Sequence, residues 1–174
     1  MKTSSEKAIG ENAIGEKANG EKTSGEKIRL VITRRALESA LESSRSVYPN
    51  EFIGLFRGKE KESGGRRGEG KRSESERSGK TVKLTELIIA PLSEYGEGFS
   101  SYSDIFLPMH LNALASFHSH PHPPAEPSRG DLHFFSRKGK VHFIVCPPFD
   151  VAAKESVRAF DSAGNELAFE VAER

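Results

Sequence analysis

Residues 118–131 read HSHPHPPAEPSRGD. A strand carries residues i and i+2 on one face, so His118 and His120, at the end of ALASFHSH, aim both imidazoles at one point. Two histidines leave a metal site incomplete, because catalytic zinc usually takes three protein ligands and a water. A carboxylate from the next element would complete it, and Asp131 is well placed to supply one. Ser128 and Asp131 have the S-x-x-D spacing of a capping box, so Ser128 can cap a short helix, from about Ser128 to Arg137, whose first turn presents the Asp131 carboxylate. Taken alone, that tetrapeptide more often means a plain helix cap. The H-x-H eleven residues upstream of Asp131, across a proline-stiffened loop, is what a cap leaves unexplained.

The other histidines carry less. His122 follows Pro121, where the strand breaks, and reads as an exposed loop residue. His110, His133 and His142 stand alone, and an isolated histidine is more often structural or exposed than a ligand. Glu126, beside Pro127, is a second candidate carboxylate, ranked below Asp131 because no helix fixes its direction. Zinc lowers the pKa of a bound water to about 7 and so yields a hydroxide nucleophile, but a residue must still carry the proton. No H-E-x-x-H is present to provide it. The leading candidate is Glu51, which follows YPN and opens the apolar run FIGLF; Glu86, Glu94 and Glu97 compete. In isolation, a carboxylate flanking a strand is ordinarily just solvated.

These residues need a scaffold. IRLVI (28–32) is rich in β-branched residues and reads as a strand. Thr33 then caps a helix whose buried face is Ala36, Leu37, Ala40, Leu41 and Ser44, and Pro49 prevents that helix from running on. FIGLF reads as a strand, as does TVKLTELIIAP, which is expected to become fully buried over Leu87 to Ala90. A loop, LSEYGEGFSSYSD, follows, then IFLP as further strand material and a possible short helix around residues 108–114. KVHFIVC is a buried strand, and ESVRAFD and NELAFEVA read as a closing hairpin. Strands with two interspersed helices and an antiparallel hairpin predict an α/β domain with a mixed sheet.

Two stretches stand apart. Residues 1–27 repeat with a five-residue period (SEKAI, GENAI, GEKAN, GEKTS) and, after Met1, hold only Ile9 and Ile14 as large apolar residues, so a disordered tail is expected. Residues 59–80 contain no large apolar side chain and read as a flexible, solvated insertion. What remains, within 28–174, is one domain. The insertion carries a charge of +3, the rest of the core −2, and no aromatics interleave the basic run, so nucleic acid is not an expected partner. The single cysteine, Cys146, lies in an apolar run; it excludes an intrachain disulfide and a cysteine-rich zinc site, including the H-x-E with P-C-x-x-C of cytidine deaminases. No apolar stretch approaches a membrane span and no signal-peptide core is evident, so a soluble, cytoplasmic protein with no membrane partner is expected.

Taken together, N-E-F-I-G-L-F-R-G, then H-S-H-P, then P-S-R-G-D with eight residues from His120 to Ser128, resemble the JAMM or MPN-plus zinc metalloproteases. The likeness runs from about Ile28 to Val171 and is strongest to the small stand-alone prokaryotic, archaeal-type members, which share S-F-H-S-H-P, P-S-R-G-D-L, F-F-S and the terminal R-A-F-D-x-x-G. The resemblance implies the JAMM/MPN fold, a curved mixed β-sheet flanked by helices with cytidine-deaminase-like architecture. It implies one Zn2+ per chain held by His118, His120 and Asp131, with Glu51 as general base and then acid, and Ser128 as an oxyanion donor. It further implies an isopeptidase acting on conjugates of ubiquitin-like modifiers. Two other readings are a processing peptidase for sulfur-carrier proteins and, with less support because every ligand is present, a non-catalytic MPN scaffold. The repeat tail and the long 59–80 insertion depart from the family pattern, though neither touches the motif.

Overall fold

The computed structural model describes residues 27–62, 79–90, 93–101, 111–137, 139–153 and 155–173. The repeat tail up to residue 26, the interior of the polar insertion and the stretch 102–110, with IFLP, His110 and the first part of the short helix expected there, lie outside the described residues. The chain starts with β1 (Lys27–Thr33) and α1 (Arg34–Val47), in which Thr33 Oγ1 caps the Ala36 amide at 3.3 Å. The helix buries Ala36, Leu37, Ala40, Leu41 and Ser44, the stripe its spacing predicts, and ends at Tyr48 before Pro49.

Strands β2 (Ile53–Glu62) and β3 (Gly79–Ile88) follow as an antiparallel pair. They extend into what the sequence suggests is insertion: Lys59–Glu62 pair with Lys80–Lys83, and Lys80 bonds Glu60 at 2.7 Å. Lys59–Glu62 are exposed, whereas on β3 Val82 is buried in the core and its neighbours are half-buried, so backbone pairing holds the β2 arm to a strand that the core anchors. A bulge falls between Arg57 and Gly58, where a Cβ on Gly58 would lie 1.9 Å from the Lys83 carbonyl oxygen. The expected full burial from Leu87 to Ala90 does not occur: the strand stops at Ile88 and Ile89 is 54% exposed.

Beyond β3, the segment expected to be a loop contains a small hairpin of β4 (Glu94–Gly96) and β5 (Phe99–Ser101), turned through Glu97 and Gly98, whose φ is +81°. β6 (Ala113–Ser119) then runs beside β2. The described end of the helix expected over 108–114 is extended instead, because Ala113 pairs with Arg57 and sheet pairing overrides the helix propensity of Leu and Ala. Helix α2 (Arg129–Phe135), β7 (Val141–Val145), β8 (Val157–Asp161), β9 (Glu166–Leu167) and β10 (Phe169–Ala172) complete the chain.

Eight strands form one mixed sheet in the order β10-β1-β3-β2-β6-β7-β8-β9. The expected final hairpin is realised only in part. β9 pairs with β8, but β10 crosses to lie parallel to β1, where Arg29 bonds Glu170 in a bidentate pair and Arg34 bonds Glu173. Since only Ala168 separates β9 from β10, the two edges of the sheet lie one residue apart along the chain, and the sheet is curled until nearly closed. Alternation divides the burial between two faces. Phe117, Val141, Phe143 and Val145 join α1 in the larger core, where Phe56 meets the rings of Phe117 and Phe143 edge-on. Ile144, Cys146 and Phe160 pack with Phe135 of α2 on the other side. His118 belongs to that second face.

Candidate metal centre

The site lies at the C-terminal end of β6. His118 sits opposite Ile53 of β2 and Ile144 of β7, and one residue beyond the strand the His120 amide donates to the Val145 carbonyl at 2.7 Å. His118 is therefore held by backbone from two sides, and His120 from the β7 side. Between them, Ser119 turns toward the opposite face, accepts the Phe52 amide on its Oγ at 2.8 Å and donates its own amide to the Phe52 carbonyl at 2.8 Å. That exchange places Glu51, the next residue back, at the mouth of the same cleft, and the Glu51 amide donates to Gly96 of the small hairpin at 2.9 Å.

The third group arrives on α2. Ser128 Oγ accepts the Asp131 amide at 3.2 Å, while Asp131 Oδ2 accepts the Ser128 amide at 2.7 Å, closing the capping box. The box also fixes the carboxylate: Asp131 Oδ1 is 3.0 Å from His118 Nε2, and Oδ2 is 3.3 Å from His120 Nε2. The two Nε2 atoms are 3.2 Å apart. A tetrahedral ion with arms of 2.0–2.1 Å has ligand–ligand edges of about 3.3 Å, so these three groups have the types and spacing to hold a zinc-sized cation. Oxygen and imidazole nitrogen donors suit such an ion.

Electrostatics agree with this grouping. Burial pushes the Asp131 carboxyl upward, but hydrogen bonds from His118, His120 and Ser128 overcome it and hold the group well below the usual carboxylate range. Burial raises Glu51, the charge of Asp131 adds to the rise, and His120 and His118 oppose it. A carboxyl raised in a cleft has the character of a proton carrier. The cleft, about 510 Å³, is lined by Glu51, His118, His120, Ser128 and Asp131, with Ile53, Phe99 and Phe134 as its apolar walls.

All five candidate residues thus face one cleft. The competing carboxylates do not line it: Glu86 pairs with Arg57, Glu94 lies within the hairpin near Ser101, and Glu126 pairs with Arg158 at 3.1 Å. His122 is exposed at the rim and His133 is exposed on α2. His142 is fully buried, its Nδ1 2.7 Å from Ser116 Oγ and its ring stacked on Phe135 at 4.1 Å, which makes it structural. Burial, then the neighbouring His118, lowers its pKa to about 4. Cys146 is buried too, and burial raises its thiol, the opposite of what a nucleophile needs. Sequence reading missed the hairpin that bonds Glu51 and carries Phe99. Its one local signal was the two-residue turn Glu97–Gly98.

Fold and site together define a JAMM/MPN-type domain, a nearly closed mixed sheet with a histidine pair at the end of β6 and an aspartate in the first turn of α2. Comparison with known proteins agrees. The family described as prokaryotic homologs of the JAB domain matches residues 33–162, and the chain belongs to that family. It is similar, at 32% identity over 133 residues covering 76% of this chain and 73% of the relative, to a Haloferax volcanii protein described as a "probable metalloprotease". Among solved structures it resembles a JAB1/MPN domain protein from Archaeoglobus fulgidus (31% identity, TM-score 0.53, covering 82% of this chain and 98% of that one). It also resembles a structure described as JAMM, a metalloprotease-like zinc site in the proteasome and signalosome (30% identity, TM-score 0.50, 84% and 99% covered). The chain is thus a small prokaryotic member of the JAMM/MPN metalloprotease family. Among the described residues, no helix is long and apolar enough to cross a membrane.

Proposed function

We propose that this protein is a zinc-dependent isopeptidase that releases ubiquitin-like modifiers from lysine side chains. The observation that carries the reading is the convergence of His118 Nε2, His120 Nε2 and the Asp131 carboxylate within 4.8 Å, in a cleft shared with Glu51. The zinc site named for one structural neighbour and the metalloprotease name of the Haloferax relative support it. Zinc held by those three residues would supply a Lewis acid and a water that ionises near pH 7.

The remaining work falls to the chain. Glu51 takes a proton on its carboxylate and returns it to the departing lysine amine, a role its raised pKa suits. The Ser128 oxygen already accepts the Asp131 amide, which leaves its hydroxyl hydrogen free to donate to the substrate carbonyl oxygen as negative charge develops there. The apolar walls, Ile53, Phe99 and Phe134, flank the scissile bond and limit water around it.

The test is incubation of the purified protein with lysine-linked conjugates of its host's ubiquitin-like proteins, beside linear precursors carrying a C-terminal peptide. Chelator-sensitive release of intact modifier from lysine supports the isopeptidase. Cleavage of linear precursors alone would assign a processing peptidase instead, and no cleavage by a zinc-loaded chain would favour a scaffold.

A further inference from the structure

The R-A-F-D-x-x-G motif, residues 158–164, has no part in the chemistry above, yet three of its residues reach the segment that carries Asp131. Arg158 and Phe160 alternate onto the α2 face of β8. Arg158 bonds Glu166 on β9 through Nε at 3.2 Å and Nη2 at 2.7 Å, and its guanidinium lies 5.3 Å from the Phe160 ring centroid. Its remaining arm, Nη1, donates to Glu126 at 3.1 Å. Phe160 stacks with Phe135 of α2 at 6.2 Å, and Phe135 in turn packs 6.2 Å from His118. Asp161 accepts the Ala163 and Asn165 amides and shapes the turn, so that Gly164, at φ +85°, brings its backbone against Leu132 of α2.

Glu126 is a telling partner. It lies in the proline loop between His120 and Ser128, next to Ala125, which is fully buried among Phe135, Ile144, Cys146 and Phe160. We propose that Arg158 is a positioning residue for the metal centre: clamped to Glu166, it pins the His120–Ser128 loop through Glu126 and so sets where Asp131 meets the two histidines. An exposed ion pair ordinarily contributes little, because two mobile side chains must be ordered to form it. Here the fork is already held by Glu166 and Phe160, so only Glu126, 61% exposed, is left to order. The inference rests on the zinc reading of the site. It adds a residue outside the cleft to the set on which metal affinity depends.

The test measures zinc affinity by chelator competition, and the visible spectrum of the cobalt(II)-loaded chain, for wild type, Arg158→Met, Arg158→Lys and Glu126→Gln. Thermal melting of each metal-free chain serves as the control for fold. Expected are metal-free midpoints close to wild type, roughly tenfold weaker zinc binding and an altered cobalt band for Arg158→Met and Glu126→Gln, and partial recovery for Arg158→Lys. Wild-type affinity and spectrum in the variants would overturn the positioning role while leaving the zinc site intact. Should Arg158→Met fail to fold, the exposed Glu126→Gln decides alone. A wild-type chain that binds no zinc would overturn the zinc reading, and this inference with it.

Discussion

Ser119 and Phe52 exchange two hydrogen bonds, each of 2.8 Å, one through the Ser119 side chain and one through its amide. The pair joins the histidine strand to the residue after Glu51, across 67 positions of sequence from Glu51 to His118. It is the link by which two remote motifs become one site.

Ser119→Ala removes the hydroxyl and leaves the buried Phe52 amide without that acceptor, which costs about 1–3 kcal/mol. Because His118 stays paired with β2 and β7 and His120 keeps its bond to Val145, zinc content should stay near wild type while kcat falls. Denaturant unfolding, zinc analysis and turnover on the same preparation check all three.

Ser128→Ala breaks the capping box. Loss of the cap destabilises by about 1 kcal/mol. It also frees Asp131 and removes the proposed hydroxyl donor, so zinc affinity and kcat should both fall. Ser128→Thr, which retains the cap, should recover zinc affinity; chelator competition distinguishes the two variants.

Acid should weaken the metal-free fold through His142. Its pKa is about 4 in the fold against 6.5 in the unfolded chain. Between those values the unfolded chain binds a proton that the folded chain rejects, so stability rises with pH through that window and is lost as acid is added. The full effect is on the order of 3 kcal/mol. Unfolding at pH 7 and pH 4.5 should show a smaller difference for His142→Gln than for wild type.

Zinc should raise the melting midpoint only where all three ligands are present. At a free concentration a thousandfold above Kd the gain is about 4 kcal/mol. His118→Ala should melt at the same temperature with and without added zinc, as read by differential scanning fluorimetry.

How much of this was legible follows from the range of each rule. HSHPHPPAEPSRGD is readable because period-two alternation and the S-x-x-D cap act within a few residues, and the α1 stripe from Ala36 to Ser44 is readable for the same reason. Glu51 is only one of several carboxylates until the family resemblance singles it out, since nothing local says that β2 lies beside β6. The same holds for β10: FEVA alternates as a hairpin arm would, and only distant pairing of Leu30 with Phe169 sends it to the other edge of the sheet. The arms of the 59–80 insertion defeat a burial-based reading because they carry no apolar side chain and are held as strands by backbone pairing.

The most direct test is Glu51→Gln. Because Glu51 stands beside the ligand set and is not one of its three members, the variant should bind about one zinc per chain as wild type does, and hydrolysis of a lysine-linked conjugate should drop by at least about 100-fold. Turnover at the wild-type rate with zinc in place would contradict the account.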